Sequence, residues 1–399
     1  MITRCSYMIL FSDYILNVML YVLFPSSSAG VSSYNVQTLG AKADGITEAT
    51  DYFLNAWSLA CASNNSAQVY VPPGKYLMSS AVVFSGRNCK RTMVMRIDGT
   101  IVAPADYNLI AHSEIWLKFD NVNGLYISGG TLDAQGAALW ACKASGKSCP
   151  TGAASIGFYS STDIVVSGLM SMNSQMFHMI VYKCNNTKLQ GIKISAAADS
   201  PNTDGIHVQL STGVSILSSQ IGTGDDCISI GPGTTNTWIE SVSCGPGHGI
   251  SIGSLGWDLQ EPGVQNLTVK TVTLRNTENG VRIKTWARSS TGFVRNVLFQ
   301  HIVMGNVKNP ILIDQDYGPG IQNCPNQVSG VKISNVIYQD IHGTSATPVA
   351  LRLQCSKSYP CSGIRLQDVN LTYSNQPAAA SCSNAAGKAS GVMSPTSCL

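Results

Sequence analysis

The chain has 399 residues, of which 37 are glycine, 13 are cysteine and only 12% are charged, with a formal net charge of +3. So small a positive balance, with no cluster of lysine and arginine, gives no ground for a nucleic-acid partner. Sparse charge, abundant glycine and recurrent short β-branched runs describe many short strands joined by tight turns, and a length that suits two or three average domains also suits one long solenoid.

At the N-terminus Arg4 precedes an apolar stretch from Tyr14 to Phe24, then Pro25, with Ser27 and Ala29 at signal-peptidase spacing. Residues 1–29 are expected to be a secretory signal and residues 30–399 the mature, extracellular domain. The apolar run is short for a membrane span, and no later segment is long and apolar enough, so no membrane association is expected after removal of the signal. Cysteine usage agrees with export. Cys61 with Cys89, Cys142 with Cys149, Cys227 with Cys244, Cys355 with Cys361 and Cys382 with Cys398 are expected bridges, which leaves Cys184 and Cys324 over. None has the paired spacing of a zinc ribbon. Sequons at Asn64, Asn185, Asn266 and Asn370 suit a glycosylated surface.

Residues 48–62 form the one convincing amphipathic helix, with Phe53, Trp57, Ala60 and Cys61 on a single face. Beyond it a short unit recurs: a turn residue, an apolar-x-apolar strand, a polar turn and another short strand. Gly124–Ser128, Asp163–Ser167, Gly213–Leu217, Asn266–Lys270, Asn296–Gln300, Gly330–Ser334 and Gly363–Gln367 show it. The irregular spacing of roughly 20–40 residues lies in the solenoid range and lacks the period of a propeller. No helix-length segment fits between the strands, which excludes βαβ units. The expected fold is all-β: a single-stranded parallel β-helix whose first coil is capped by the helix. The last residues, from about 373, are expected to be a tail pinned by Cys382 and Cys398.

Four segments interrupt the apolar pattern with polar side chains: Asn202–Gly205, Gly224–Cys227, Gly245–Gly249 and Arg282–Lys284. Asp204, Asp226 and His248 recur every 22 residues, which stacks them on one face of successive rungs about 4.8 Å apart. Arg282 and Lys284 are two residues apart and share a face. Asp225 and Asp226 are adjacent, so a bend or bulge, allowed by Gly222 and Gly224, must turn both to one groove. Crowded carboxylates raise the proton affinity of one of them, which suits glycoside hydrolysis by an acid and a second carboxylate. The two bases would meet a substrate carboxylate. Three acids and a histidine could instead hold a metal, but the two cations argue against it, so no metal and no cofactor are expected. Among the other histidines, His178, beside Phe177, is the one kept as a groove candidate.

The segments Ser200–Ile206, Thr223–Ile230, Cys244–Gly256 and Gly280–Trp286, intact and in order, resemble the polygalacturonases, glycoside hydrolase family 28. The likeness is greatest to the plant branch, pollen exo-acting enzymes in particular, and extends to Tyr34–Gly45 near the start. The resemblance implies a right-handed helix and metal-free, inverting hydrolysis of pectic galacturonan in the cell wall by a monomer. By motif match Asp225 is the general acid, Asp204 and Asp226 activate water, and His248 assists protonation of the acid. Arg282, Lys284, Tyr317 and Asn202 bind substrate. Gly318 stands where plant relatives commonly have a cysteine, which leaves Cys324 without that partner. Alternatives are an endo-acting polygalacturonase, a pectate-lyase-like enzyme using Ca²⁺, and an inactive galacturonan-binding wall protein.

Overall fold

Runs in which alternate residues are apolar bury one side of each strand, and strands too short to stand alone bury it by stacking coil upon coil. A computed structural model describes residues 31–318 and 328–399 in this way; the expected signal segment and Cys324 lie outside the described residues. Eleven parallel strands, one per coil, build one sheet from Val82–Ser85 to Ala379–Ser383. Its central members are Met179–Tyr182, Ile206–Gln209, Ile228–Ile230, Ile250–Leu255, Asn279–Trp286 and Asn309–Tyr317. The remaining strands form a second sheet. Early coils supply two short strands each to it, and from Thr235–Cys244 onward these merge into single long strands such as Val264–Arg275 and Phe293–Val307. This is the expected right-handed parallel β-helix.

Register follows the spacing in the sequence. Ile206 pairs with Ile228 and Ile228 with Ile250, and the next coil, lengthened by the segment after Leu255, pairs Ile250 with Val281. Ile206, Ile228, Ile250, Val281 and Ile311 are all fully buried, so each rung sets one aliphatic side chain upon the last. A neighbouring column, which runs from Ile230 and Val208 through Val181, becomes aromatic near the N-terminal end: Phe84, Phe119 and Phe158 stack at centroid distances of 4.9 and 5.6 Å. At one corner Asn236, Asn266, Asn296 and Asn335 all adopt left-handed backbone with φ between 53° and 57°, a conformation that asparagine tolerates. Asn266, Asn296 and Asn335 each donate the side-chain amide to the side-chain oxygen of the preceding asparagine at 3.1–3.4 Å. The ladder also shows that the repeat near residue 330 is phased on Asn335–Tyr338, since Val336 pairs with Val297, rather than on Gly330–Ser334.

The helix Thr50–Ala62 buries Phe53, Ala56, Trp57, Ala60 and Cys61. The Trp57 ring lies 5.3 Å from Phe84 and 5.5 Å from Phe119, its Nε1 donates to Ser85 O at 2.9 Å, and Cys61 is bridged to Cys89. The other four expected bridges are present as well, and Cys184 is a buried free thiol. Two expectations are corrected. The segment around Cys142 contains a second short helix, Ala137–Ala144, whose Trp140 Nε1 donates to Ser174 O. The C-terminal segment is not a tail: Ala379–Ser383 pairs with Val349–Gln354, and Ala385–Ser394 pairs with Cys361–Tyr373, completing a last coil. Its small residues left too weak an apolar alternation to read as strands.

Removing the Trp57 ring should loosen the cap and leave the distant groove intact. Trp57→Ala is expected to cost about 3–5 kcal/mol, read as a lower midpoint in chemical denaturation. An unchanged midpoint would mean that the helix does not seal the core.

Candidate active site

The groove lies on the outward side of the eleven-stranded sheet, where its strands begin. Because Ile206, Ile228 and Ile250 are in register, the residues two before them, Asp204, Asp226 and His248, occupy one position on successive rungs. The same position one rung earlier, before Met179, belongs to Phe177, and the next residue on each rung is His178, Gly205, Cys227 and Gly249. That second position faces the interior. His178 is accordingly fully buried, with Nδ1 2.9 Å from Ser171 Oγ, and burial lowers its pKa to about 3. His178 is therefore no groove residue; Phe177 beside it is. The groove histidine is His207, which alternates outward between buried Ile206 and Val208. Its Nδ1 lies 2.8 Å from Ser229 Oγ and its Nε2 3.2 Å from Gln209 Oε1. Strand alternation was the signal that could have found it.

Asp225 and Asp226 both reach the site because neither is in a strand, which starts only at Ile228. The bend before it presses Gly224 onto Ser200, where a Cβ would stand 2.1 Å from the Ser200 carbonyl oxygen. No other residue fits there. Gly249 is held similarly, at φ +86° with its Cβ direction 2.1 Å from Asn279 O, which sets the turn that delivers His248.

Asp226 has no exposed surface, and its partners are unusually complete. Oδ1 accepts from Arg282 Nη2 at 2.8 Å and from Ser251 Oγ at 2.7 Å, Oδ2 accepts from Lys284 Nζ at 2.7 Å, and Arg282 Nε donates to Ser251 Oγ at 3.0 Å. Asp226, which the resemblance makes a water-activating acid, is thus held by two cations. Arg282 and Lys284 are committed to it, and both are nearly buried. Lys284 loses proton affinity to burial, but the Asp226 charge outweighs this and holds its pKa above the ordinary value.

The other two acids differ from each other. Burial raises Asp204 well above the ordinary carboxylate value, and the charges of Asp225 and Asp226 add to the rise. Burial also pushes Asp225 up, but its hydrogen bond to His248 and the charges of His248 and Lys284 bring it below the ordinary value. His248 Nδ1 is 3.1 Å from Asp225 Oδ1, and this bond raises the histidine against the opposing effect of burial. Asp204 therefore has the greater proton affinity of the two acids, while Asp225 shares a hydrogen bond with a histidine whose own affinity is raised. Asn202 Nδ2 lies 3.5 Å from Asp225 Oδ2. Ligand atoms of Asp225, Asp226 and His248 lie within 4.8 Å of one another, but a metal ion there would face Arg282 and Lys284 on the carboxylate it needs.

These side chains open on a cleft of about 420 Å³ lined by Asn202, Asp204, Asp225, His207, Lys284 and Tyr317, with Phe177 at one side. The segment Leu255–Pro262 walls another side with Trp257, Asp258 and Glu261. Glu261 holds that segment, its carboxylate accepting from the backbone nitrogens of Gly256 and Trp257. The rings of Trp257, Trp286 and Tyr317 meet edge to face at 4.9 and 5.1 Å, and Arg288 lies 3.9 Å over Trp257.

The family model for glycosyl hydrolases family 28 matches residues 61–398. The chain belongs to this family. It is 58% identical over 385 residues to a polygalacturonase of Prunus persica, covering 96% of this chain and 98% of the relative. It is 41% identical to an exopolygalacturonase of Platanus acerifolia, covering 91% and 97%. Among solved structures, endo-xylogalacturonan hydrolase from Aspergillus tubingensis superposes with a TM-score of 0.77 at 22% identity, covering 91% of this chain and 100% of that one. The chain is thus a glycoside hydrolase of the polygalacturonase family, with plant relatives.

Removing the negative charge of Asp226 would leave two buried cations facing each other. Asp226→Asn is expected to destabilise the fold by about 3–5 kcal/mol in chemical denaturation, and Asp225→Asn by much less. Equal midpoints in the two variants would contradict the clamp.

Proposed function

We propose that the protein is a secreted polygalacturonase of the plant cell wall that hydrolyses α-1,4-galacturonosyl bonds with inversion and acts from chain ends. The observation that carries the reading is the asymmetry of two acids on one cleft: Asp225 is bonded to a protonatable histidine, and Asp204 has a raised proton affinity. Asp225 delivers a proton to the glycosidic oxygen and recovers it from His248, its hydrogen-bond partner. Asp204, when unprotonated, is a stronger base than an ordinary carboxylate and takes the proton of the attacking water. Asp226 acts with it by holding Arg282 and Lys284 in place, and Lys284, Tyr317 and Asn202 at the cleft receive the uronate. The likeness to a plant polygalacturonase and a plant exopolygalacturonase supports this substrate.

The sign of the pH dependence follows. Asp204 must lose its proton, and its value is raised, so activity climbs with pH through that raised value. His248 must keep its proton, and its value is also raised, so activity falls only at higher pH. His248→Asn leaves Asp225 to hold the proton as a carboxyl group, and the alkaline limb of kcat/KM is expected to move to lower pH. A limb that stays in place would remove His248 from the proton path. Asp225→Asn is expected to lower turnover by about 10²–10⁴-fold, and proton NMR should show the inverted anomer in the first product.

Chain-end action is supported by the likeness to the Platanus exopolygalacturonase and by the segment Leu255–Pro262, whose Trp257, Asp258 and Glu261 line the cleft together with Lys284. The segment Ala134–Gly152, bridged by Cys142 and Cys149, does not line the cleft, and its Lys143 donates to Thr151 O. Viscosity measured against reducing ends decides the mode. Chain-end action releases reducing sugar with little loss of viscosity, whereas an early collapse in viscosity would establish internal attack.

A further inference from the structure

The second sheet carries a cleft larger than the catalytic one, about 660 Å³, on the strands Asn123–Ser128, Thr162–Ser167 and Asn185–Gln190, with the segment 89–92 at one edge. Lys90, Arg91, Tyr126, Asp163 and Lys188 line it. Tyr126 pairs in register with Val165, and Val165 with Lys188, so the ring and the ammonium lie two rungs, roughly 10 Å, apart along the helix axis. Half of Tyr126 is exposed, which leaves an aromatic face open to solvent in the cleft. The cations are also uncompensated. Lys90 Nζ donates to Asn64 Oδ1 at 3.0 Å and Arg91 Nε to Asn64 O at 3.4 Å, both neutral acceptors. None of Lys90, Arg91 and Lys188 pairs with a carboxylate among the described residues. The one acid in the lining, Asp163, accepts from Asn186 Nδ2.

We propose that this cleft is a second, non-catalytic binding site for a linear polyuronate, which docks the polymer while the catalytic cleft works on a chain. A uronate chain presents one carboxylate per sugar and flat C–H faces between them, which matches cations spaced along the rungs with an exposed ring among them. A neutral polysaccharide would leave three charges without partners. The catalytic cleft differs in kind, because its two innermost cations are already paired with Asp226. The inference rests on the galacturonan reading given under Proposed function.

The test is affinity electrophoresis through gels containing polygalacturonate, alongside turnover of trigalacturonate, for the protein and for the variants Tyr126→Ala/Lys188→Ala and Lys90→Ala/Arg91→Ala made in the same host. The expected result is retardation of the unaltered protein that persists when excess trigalacturonate fills the catalytic cleft. It should be about tenfold weaker in the variants, with trimer turnover unchanged, which also reports that they are folded. Retardation should vanish in gels of fully methyl-esterified pectin. Retardation unchanged in both variants, abolished by the trimer, or equal in esterified gels would overturn the second site. Failure of the unaltered protein to cleave either the trimer or the polymer would instead overturn the polygalacturonase reading, whatever the gels show.

Discussion

The site is organised by one buried ion cluster: Asp226 clamped between Arg282 and Lys284, with Ser251 between the rungs. Charges removed from water are costly unless paired and fully hydrogen-bonded. Here every oxygen of the carboxylate has a donor, and the donors come from the next two rungs, Ser251 from one and Arg282 and Lys284 from the other. The cluster therefore ties the bend before Ile228 to the strand Asn279–Trp286. It also sets the fields at the other acids. Lys284 helps to depress Asp225, and Asp226 helps to raise Asp204. Two adjacent carboxylates of one sequence motif thus acquire opposite characters, one as an anchor and one as a groove acid.

The coil makes such a cluster possible. Parallel stacking repeats each position at about 4.8 Å, close enough for a side chain on one rung to bond to the next. The same repetition produces the asparagine ladder at the corner and the aliphatic and aromatic columns within. Polar residues at the groove are kept in place by close backbone packing, as at Gly224, where only hydrogen fits against Ser200. The walls are independent of this regularity. Leu255–Pro262 interrupts the spacing of the coils and shapes the cleft through Trp257 and Glu261, with a local shift of register between Ile252 and Leu255.

Spacing revealed much of this in advance. The interval of 22 residues that relates Asp204, Asp226 and His248 equals the register interval of Ile206, Ile228 and Ile250, because one coil advances each position by one rung. The five disulfides and the capping helix were legible for a similar reason: they are local. His178 was misplaced because it was judged by its neighbour Phe177 and not by its rung equivalents, Gly205 and Cys227, which face the interior. His207 was passed over although its alternation with Ile206 and Val208 points it outward. The last coil reads as a tail in the sequence because Ala, Ser and Gly bury too little apolar surface to show a pattern; its strands are held by pairing with the coil before.

By itself the sequence determined the repeat, the fold class, the order of the polar motifs and the family they belong to, since each depends on residue type and spacing along the chain. Only the tertiary structure decided which charges meet. That Arg282 and Lys284 close on Asp226, that His248 bonds to Asp225, and that Asp204 is left with a raised proton affinity depend on distances across rungs and on exclusion of water. Those quantities arise only when segments up to about eighty residues apart are stacked within a few ångströms of one another.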